Sequence, residues 1–77
     1  MNEVVLPELG EGIKEATVVC WHVKTGSHVE KDEDIVEVVT DKASFNIPSP
    51  FSGTIEKICI DPGETVPVGC VLAHVTP

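Results

Sequence analysis

Val36-Glu37-Val38-Val39-Thr40-Asp41-Lys42-Ala43-Ser44-Phe45-Asn46-Ile47 is the stretch that decides the fold. Two runs rich in β-branched and aromatic residues flank four residues that suit a turn, which is the pattern of an antiparallel hairpin. Asp41 and Lys42 fit the centre of a tight turn, and no glycine is present to demand unusual backbone. The loop should therefore be well defined and its tip exposed. Lys42 becomes a single ammonium held out at the apex by two strands. For an arbitrary lysine, that placement means solvation and nothing more.

Outward from the hairpin, glycine at 10, 12, 26, 53, 63 and 69 and proline at 7, 48, 50, 62 and 67 cut the chain into pieces too short for a helical pattern. Valine, isoleucine and threonine fill 25 of the 77 positions, alanine and leucine only 6, so residues stiff at χ1 far outnumber good helix formers. The reading is all-β. Strands are predicted at Glu3–Leu6, Thr17–Lys24, Asp34–Val39, Ser44–Ile47, Gly53–Ile60 and Val71–Val75, with short pairings at His28–Glu30 and Thr65–Pro67.

Offsetting the sequence by 37 positions aligns Thr17 with Thr54, Val18 with Ile55, Trp21 with Ile58, Val23 with Ile60, Gly26 with Gly63, Val29 with Val66, Ile35 with Leu72 and Val38 with Val75. The chain is an internal repeat, and the Thr40–Ala43 turn lies between its copies. Two similar halves are expected each to contribute one sheet to a common core, giving a flattened barrel or sandwich with few exposed edges. Gly26 and Gly63 fall at the same place in both copies, where a positive φ is expected. The period-2 phase slips in each copy; a β-bulge near Glu56–Lys57 would return Ile55, Ile58 and Ile60 to the inside.

Composition narrows function. A chain of 77 residues is one domain that buries only about 60% of its unfolded surface, which leaves little room for a large substrate cleft. Thirteen acids against five basic residues give a formal charge of −8, which argues against nucleic-acid and membrane-surface partners. No apolar run reaches the roughly 18 residues of a bilayer span, and MNEVVLPELGEG lacks the basic start and apolar stretch of a secretory signal, so a soluble chain is expected. Cys20, Cys59 and Cys70 are odd in number and form no C-x-x-C pair, which points to a reducing compartment.

Read in order, the motifs resemble the lipoyl domain of the dihydrolipoamide acyltransferases, the E2 components of 2-oxo acid dehydrogenase complexes. The matching stretches are Leu6-Pro7-Glu8-Leu9-Gly10-Glu11-Gly12-Ile13, Trp21-His22 with Thr25-Gly26, Thr40-Asp41-Lys42-Ala43, Ile47-Pro48-Ser49-Pro50 with Gly53, and Pro62-Gly63-Glu64 with Val66 and Gly69. The resemblance covers almost the whole chain, residues 1–77 forming one lipoyl-binding domain. It implies two four-stranded antiparallel sheets related by a quasi-two-fold axis, with both termini at one end and the modified lysine at the other. Lys42 would carry covalent lipoate, with Thr40, Asp41 and Ala43 around it, and the family's two turn glycines map onto Gly26 and Gly53. Where many members have glutamate three residues before the lysine, this chain has Val39.

A domain of this kind catalyses nothing itself. The resemblance implies that its arm carries acyl groups and reducing equivalents between the E1 2-oxo acid decarboxylase, the E2 acyltransferase catalytic domain and the E3 dihydrolipoyl dehydrogenase, after modification by a lipoylating enzyme. Tethering raises the effective concentration of such an arm at each site. The parent complex is expected to use pyruvate, with branched-chain or 2-oxoglutarate types as alternatives, in bacterial cytoplasm or the mitochondrial matrix. The chain reads as a monomeric N-terminal piece of a longer acyltransferase whose linker, subunit-binding and acyltransferase domains lie outside it. Glu30, Asp32, Glu33 and Asp34, continued by Glu37 and Asp41, are expected to steer a basic partner surface.

Two alternatives remain open at this point. Biotinyl carrier domains also modify a hairpin lysine but usually bracket it with methionines, whereas Asp41 and Ala43 stand here. An unmodified structural interaction module is the other. Cys20 and His22, two apart on one strand, share a face, but zinc needs four converging ligands and a catalytic cysteine needs a base, an orienting group and an oxyanion site. Cys59 and His74 would add to them only if their strands converged. No metal is assigned. Trp21 reads as a half-buried anchor and His28 as a solvated residue.

Overall fold

The computed structural model describes residues 2–77; Met1 lies outside them. Eight strands follow one another: β1 (Asn2–Val5), β2 (Glu15–Trp21), β3 (His28–Val29), β4 (Asp34–Val39), β5 (Ser44–Pro48), β6 (Gly53–Ile58), β7 (Thr65–Pro67) and β8 (Val71–Thr76). They form two four-stranded sheets, ordered β1-β8-β6-β3 and β5-β4-β2-β7. Every pairing is antiparallel.

The repeat dictates this arrangement strand by strand. An offset of 37 residues carries β2 onto β6, β3 onto β7 and β4 onto β8, so the two sheet orders are images of each other. Val18 and Ile55, Val29 and Val66, Ile35 and Leu72, Val36 and Ala73, and Val38 and Val75 are all buried, so equivalent positions face one shared core. Individual hydrogen bonds repeat as well. Gly26 N–H donates to the Ile55 carbonyl at 2.8 Å and Gly63 N–H to the Val18 carbonyl at 2.7 Å; Ile55 N–H donates to Ser27 and Val18 N–H to Glu64. Both glycines sit at nearly the same positive φ, +93° and +94°, which a Cβ would disfavour.

Each half does not supply its own sheet, as the repeat alone suggests. β3 leaves the first copy to pair with β6, and β7 leaves the second to pair with β2. The reason is the glycine turn, which swings the short middle strand onto the opposite sheet. Period-2 patterning records which face is buried and is silent about the partner strand.

A bulge interrupts β6 between Ile55 and Lys57, where the sequence predicts it, and another interrupts β2 between Val18 and Cys20. Both long strands end earlier than their apolar patterns: β2 stops at Trp21 and β6 at Ile58, instead of Lys24 and Ile60. Beyond those ends, His22 N–H still donates to Ile35 and Cys59 N–H to Leu72. Trp21 is half-buried, its indole Nε1–H donating to the Ile60 carbonyl at 2.8 Å, so it ties the end of β2 to the loop after β6.

Gly53 opens β6 where a turn glycine is expected. A Cβ there would lie 2.4 Å from the Thr76 carbonyl oxygen, so strand end and strand start are in direct contact. Since Asn2 pairs with Val75, both ends of the described chain lie at this pole. The β4–β5 turn closes the other.

Candidate functional site

β4 and β5 hold the Thr40–Ala43 turn by a register that runs Glu37 to Asn46, Val38 to Phe45 and Val39 to Ser44. Val36, Val38 and Ile47 anchor the two strands in the core. The turn itself is built by one hydroxyl. Thr40 Oγ1 accepts hydrogen bonds from the Lys42 and Ala43 backbone N–H groups, both at 3.1 Å, and donates to the Ala43 carbonyl at 3.0 Å. Thr40 N–H adds a bond to that carbonyl at 2.8 Å. No residue of the turn has positive φ, so its geometry needs no glycine.

Removing that hydroxyl is a direct check. Thr40→Val keeps the β-branched shape and leaves two N–H groups to find water, so the domain should lose about 1 kcal/mol. Urea unfolding should show a lower midpoint with an unchanged slope.

Asp41, Lys42 and Ala43 are exposed and Thr40 is half-buried. The lysine stem lies toward the β1–β2 loop: Nζ reaches the Glu11 carbonyl at 3.5 Å, a long and weak contact in open solvent. Gly12, at φ +82°, lies beneath it, and a Cβ there would come within 3.4 Å of Nζ. That loop is fixed in turn by Ile13 N–H to Gly10, Val68 N–H to Lys14 and the buried Leu6. Between loop, β2 and turn runs an open groove of about 490 Å³ lined by Gly12, Ile13, Ala16, Thr17, Val39 and Asp41 among others. Val39 is 36% exposed at the edge of this groove.

The acidic turn sits elsewhere. Glu30, Asp32, Glu33 and Asp34 are exposed, but Asp34 pairs with Pro48 at the base of the hairpin, roughly 17 Å of strand rise from the tip. There the Glu33 carboxylate accepts from Glu30 N–H at 2.9 Å, and Asp32 N–H donates to Ser49, so these acids shape their own turn. Only Glu37 and Asp41 lie along the path to Lys42.

Cys20 near the end of β2 and His22 just beyond it lie close together on the outer side of the sheet. Glu37, across from Cys20 on β4, joins them, a neighbour that strand spacing alone does not reveal. Cys59 and His74 do not converge on this group; His74 lies on β8, opposite Lys57 of β6.

The fold and turn define a small all-β domain of two four-stranded antiparallel sheets that holds Lys42, exposed, at the β4–β5 turn. The chain belongs to the biotin/lipoyl family: the profile described as "Biotin-requiring enzyme" matches residues 2–75. The dihydrolipoyllysine-residue acetyltransferase component of the pyruvate dehydrogenase complex from Mycobacterium bovis is 49% identical over 72 residues, covering 94% of this chain and 13% of the relative. Its counterpart from Corynebacterium glutamicum is 47% identical over 74 residues, covering 96% and 11%, and that from Staphylococcus epidermidis 42% over 73, covering 95% and 17%. The lipoyl domain of the 2-oxoglutarate dehydrogenase complex from Azotobacter vinelandii superposes with a TM-score of 0.78 at 34% identity, covering 100% of this chain and 98% of that one. The chain thus spans less than a fifth of the length of these acetyltransferase relatives.

Proposed function

We propose that residues 1–77 are a lipoyl carrier domain, with Lys42 as the lipoyl acceptor. One observation carries the reading: Lys42 is held at the apex of a turn braced by Thr40, at the pole opposite the chain ends. The site fits the group. Lys42 is exposed and its Nζ hydrogen-bonds, among the described residues, to the Glu11 carbonyl at 3.5 Å, so an amide can form without breaking a strong contact.

Bound there, the group would supply a disulfide that opens on accepting an acyl group and re-forms on oxidation. Everything else is the work of the chain. Thr40 fixes where the side chain starts; Asp41 and Ala43 present an exposed collar to the lipoylating enzyme; the unbranched lysine stem gives reach. The partners would be an E1 decarboxylase, an E2 catalytic domain and an E3 dihydrolipoyl dehydrogenase, in a complex that uses pyruvate. Amide formation removes the Lys42 charge and makes the domain one unit more acidic.

Intact mass of the chain made in a lipoylating host tests the proposal. A gain of one lipoyl group is expected. A biotin-sized gain would instead make it a biotinyl carrier, and no gain under any condition would leave an interaction module.

A further inference from the structure

The outer face of the β5-β4-β2-β7 sheet holds a second constellation. Cys20, Glu37 and Asn46 stand in one row across β2, β4 and β5, since Cys20 pairs with Glu37 and Glu37 with Asn46. His22 lies two residues further along the chain, just past the end of β2. The ligand atoms of Cys20, His22 and Glu37 all fall within 4.8 Å of one another. We infer that these three side chains form a binding site for a divalent transition cation of the zinc type.

The donor set argues for that class. One thiolate, one imidazole and one carboxylate suit zinc or cobalt, whereas calcium and magnesium call for oxygen alone. Bonds of about 2.0–2.3 Å in a tetrahedron place ligand atoms roughly 3.5 Å apart, so small side-chain rotations close the observed group. Cys20 and Glu37 are half-buried and already in contact, the thiol facing Glu37 Oε1 at 3.8 Å. His22 is exposed, which leaves an entry path and a fourth position for water.

Asn46 is placed to orient the imidazole. His22 Nε2 lies 2.8 Å from Asn46 Oδ1, and in the tautomer with Nε2 protonated it donates to that oxygen. Nδ1 then keeps the lone pair. A ligating histidine held through its other nitrogen is the usual arrangement around zinc.

The bulge at Val19 creates the row. With unbroken register Cys20 would pair with Val36 and follow Ala16 and Val18 into the core; the extra residue moves it outward, opposite Glu37. Its quasi-symmetric counterpart shows that the repeat does not require this chemistry. There the equivalent row is Lys57, His74 and Glu3, with an ammonium where the thiol stands.

Cobalt(II) titration of the reduced chain carrying Lys42→Arg tests the site free of any lipoyl thiols. A saturable, one-to-one thiolate-to-cobalt charge-transfer band is expected, displaced by zinc. Cys20→Ser should abolish the band, while Cys59→Ser and Cys70→Ser leave it intact. His22→Ala and Glu37→Gln should each weaken binding at least about 10-fold, and Asn46→Ala by about 10-fold, the range for an orienting partner. Amide spectra matching the parent's would show that each variant is folded. A band that survives in Cys20→Ser, or that ignores both His22→Ala and Glu37→Gln, overturns the inference; so does the absence of saturable binding.

Discussion

Replacing Lys42 by arginine should abolish modification completely while leaving the domain folded. The guanidinium keeps the positive charge and most of the stem but offers no amine that a lipoylating enzyme can acylate at neutral pH. Among the described residues the Lys42 side chain hydrogen-bonds through the long contact to the Glu11 carbonyl, so stability should change by less than about 0.5 kcal/mol. Lys14, Lys24, Lys31 and Lys57 are exposed as well, and none of them occupies the hairpin apex. Arginine at any of these four should leave the mass gain untouched. Reductive acylation by a pyruvate decarboxylase component should fall to background in Lys42→Arg alone. If a different lysine accepts the group, the turn is not the attachment point.

The largest effect on folding is expected at Gly53. Alanine there puts a Cβ 2.4 Å from the Thr76 carbonyl oxygen and 2.9 Å from Val75 Cγ1. The closest obstacle is backbone, which cannot step aside without opening the β6–β8 ladder that joins Thr54 to Thr76. A cost of about 3 kcal/mol is expected, the upper end for overpacking. Small domains of this length rarely hold more than about 3–5 kcal/mol in reserve, so the variant should be largely unfolded at 37 °C. Gly63→Ala makes the informative comparison. Nothing lies within 4 Å of a Cβ at Gly63, and only its φ of +94° opposes the change. That conformational penalty is about 1–2 kcal/mol. Denaturant midpoints should rank Gly53→Ala well below Gly63→Ala; equal losses would mean that β6 and the chain end are not in contact.

How much of this was legible in the residues depends on the kind of information each feature needs. β4 and β7 match their predicted bounds because turn residues fence them on both sides: Asp32 and Thr40 around one, Gly63 and Gly69 around the other. The apolar pattern overruns the ends of β2 and β6, since Val23 and Ile60 continue it after the ladder has turned away, and it misses the start of β2 at Glu15. The bulge at Glu56 announced itself as a slip of phase. Sheet membership did not, because nothing in β3 or β7 names the strand it will meet. The same limit hid Glu37 as a neighbour of Cys20. Their juxtaposition depends on cross-strand register, shifted by a bulge, and no spacing along one strand encodes that. Thr40 belongs to the site motif in the sequence, yet only its hydrogen bonds reveal it as the scaffold of the turn.

Under the quasi-two-fold relation, the β4–β5 hairpin has the β8–β1 pair as its image: two strands joined by a four-residue loop at one pole, and their two counterparts paired without a loop at the other. The backbone path is therefore almost a closed ring, nicked where its ends meet. A circular permutant with a short linker between Thr76 and Asn2, and new termini opened at the Asp41–Lys42 bond, breaks no ladder and should retain both sheets. Its amide spectrum would report this directly, and collapse of the fold would mean that the Thr40 turn is needed to nucleate pairing rather than only to display a side chain.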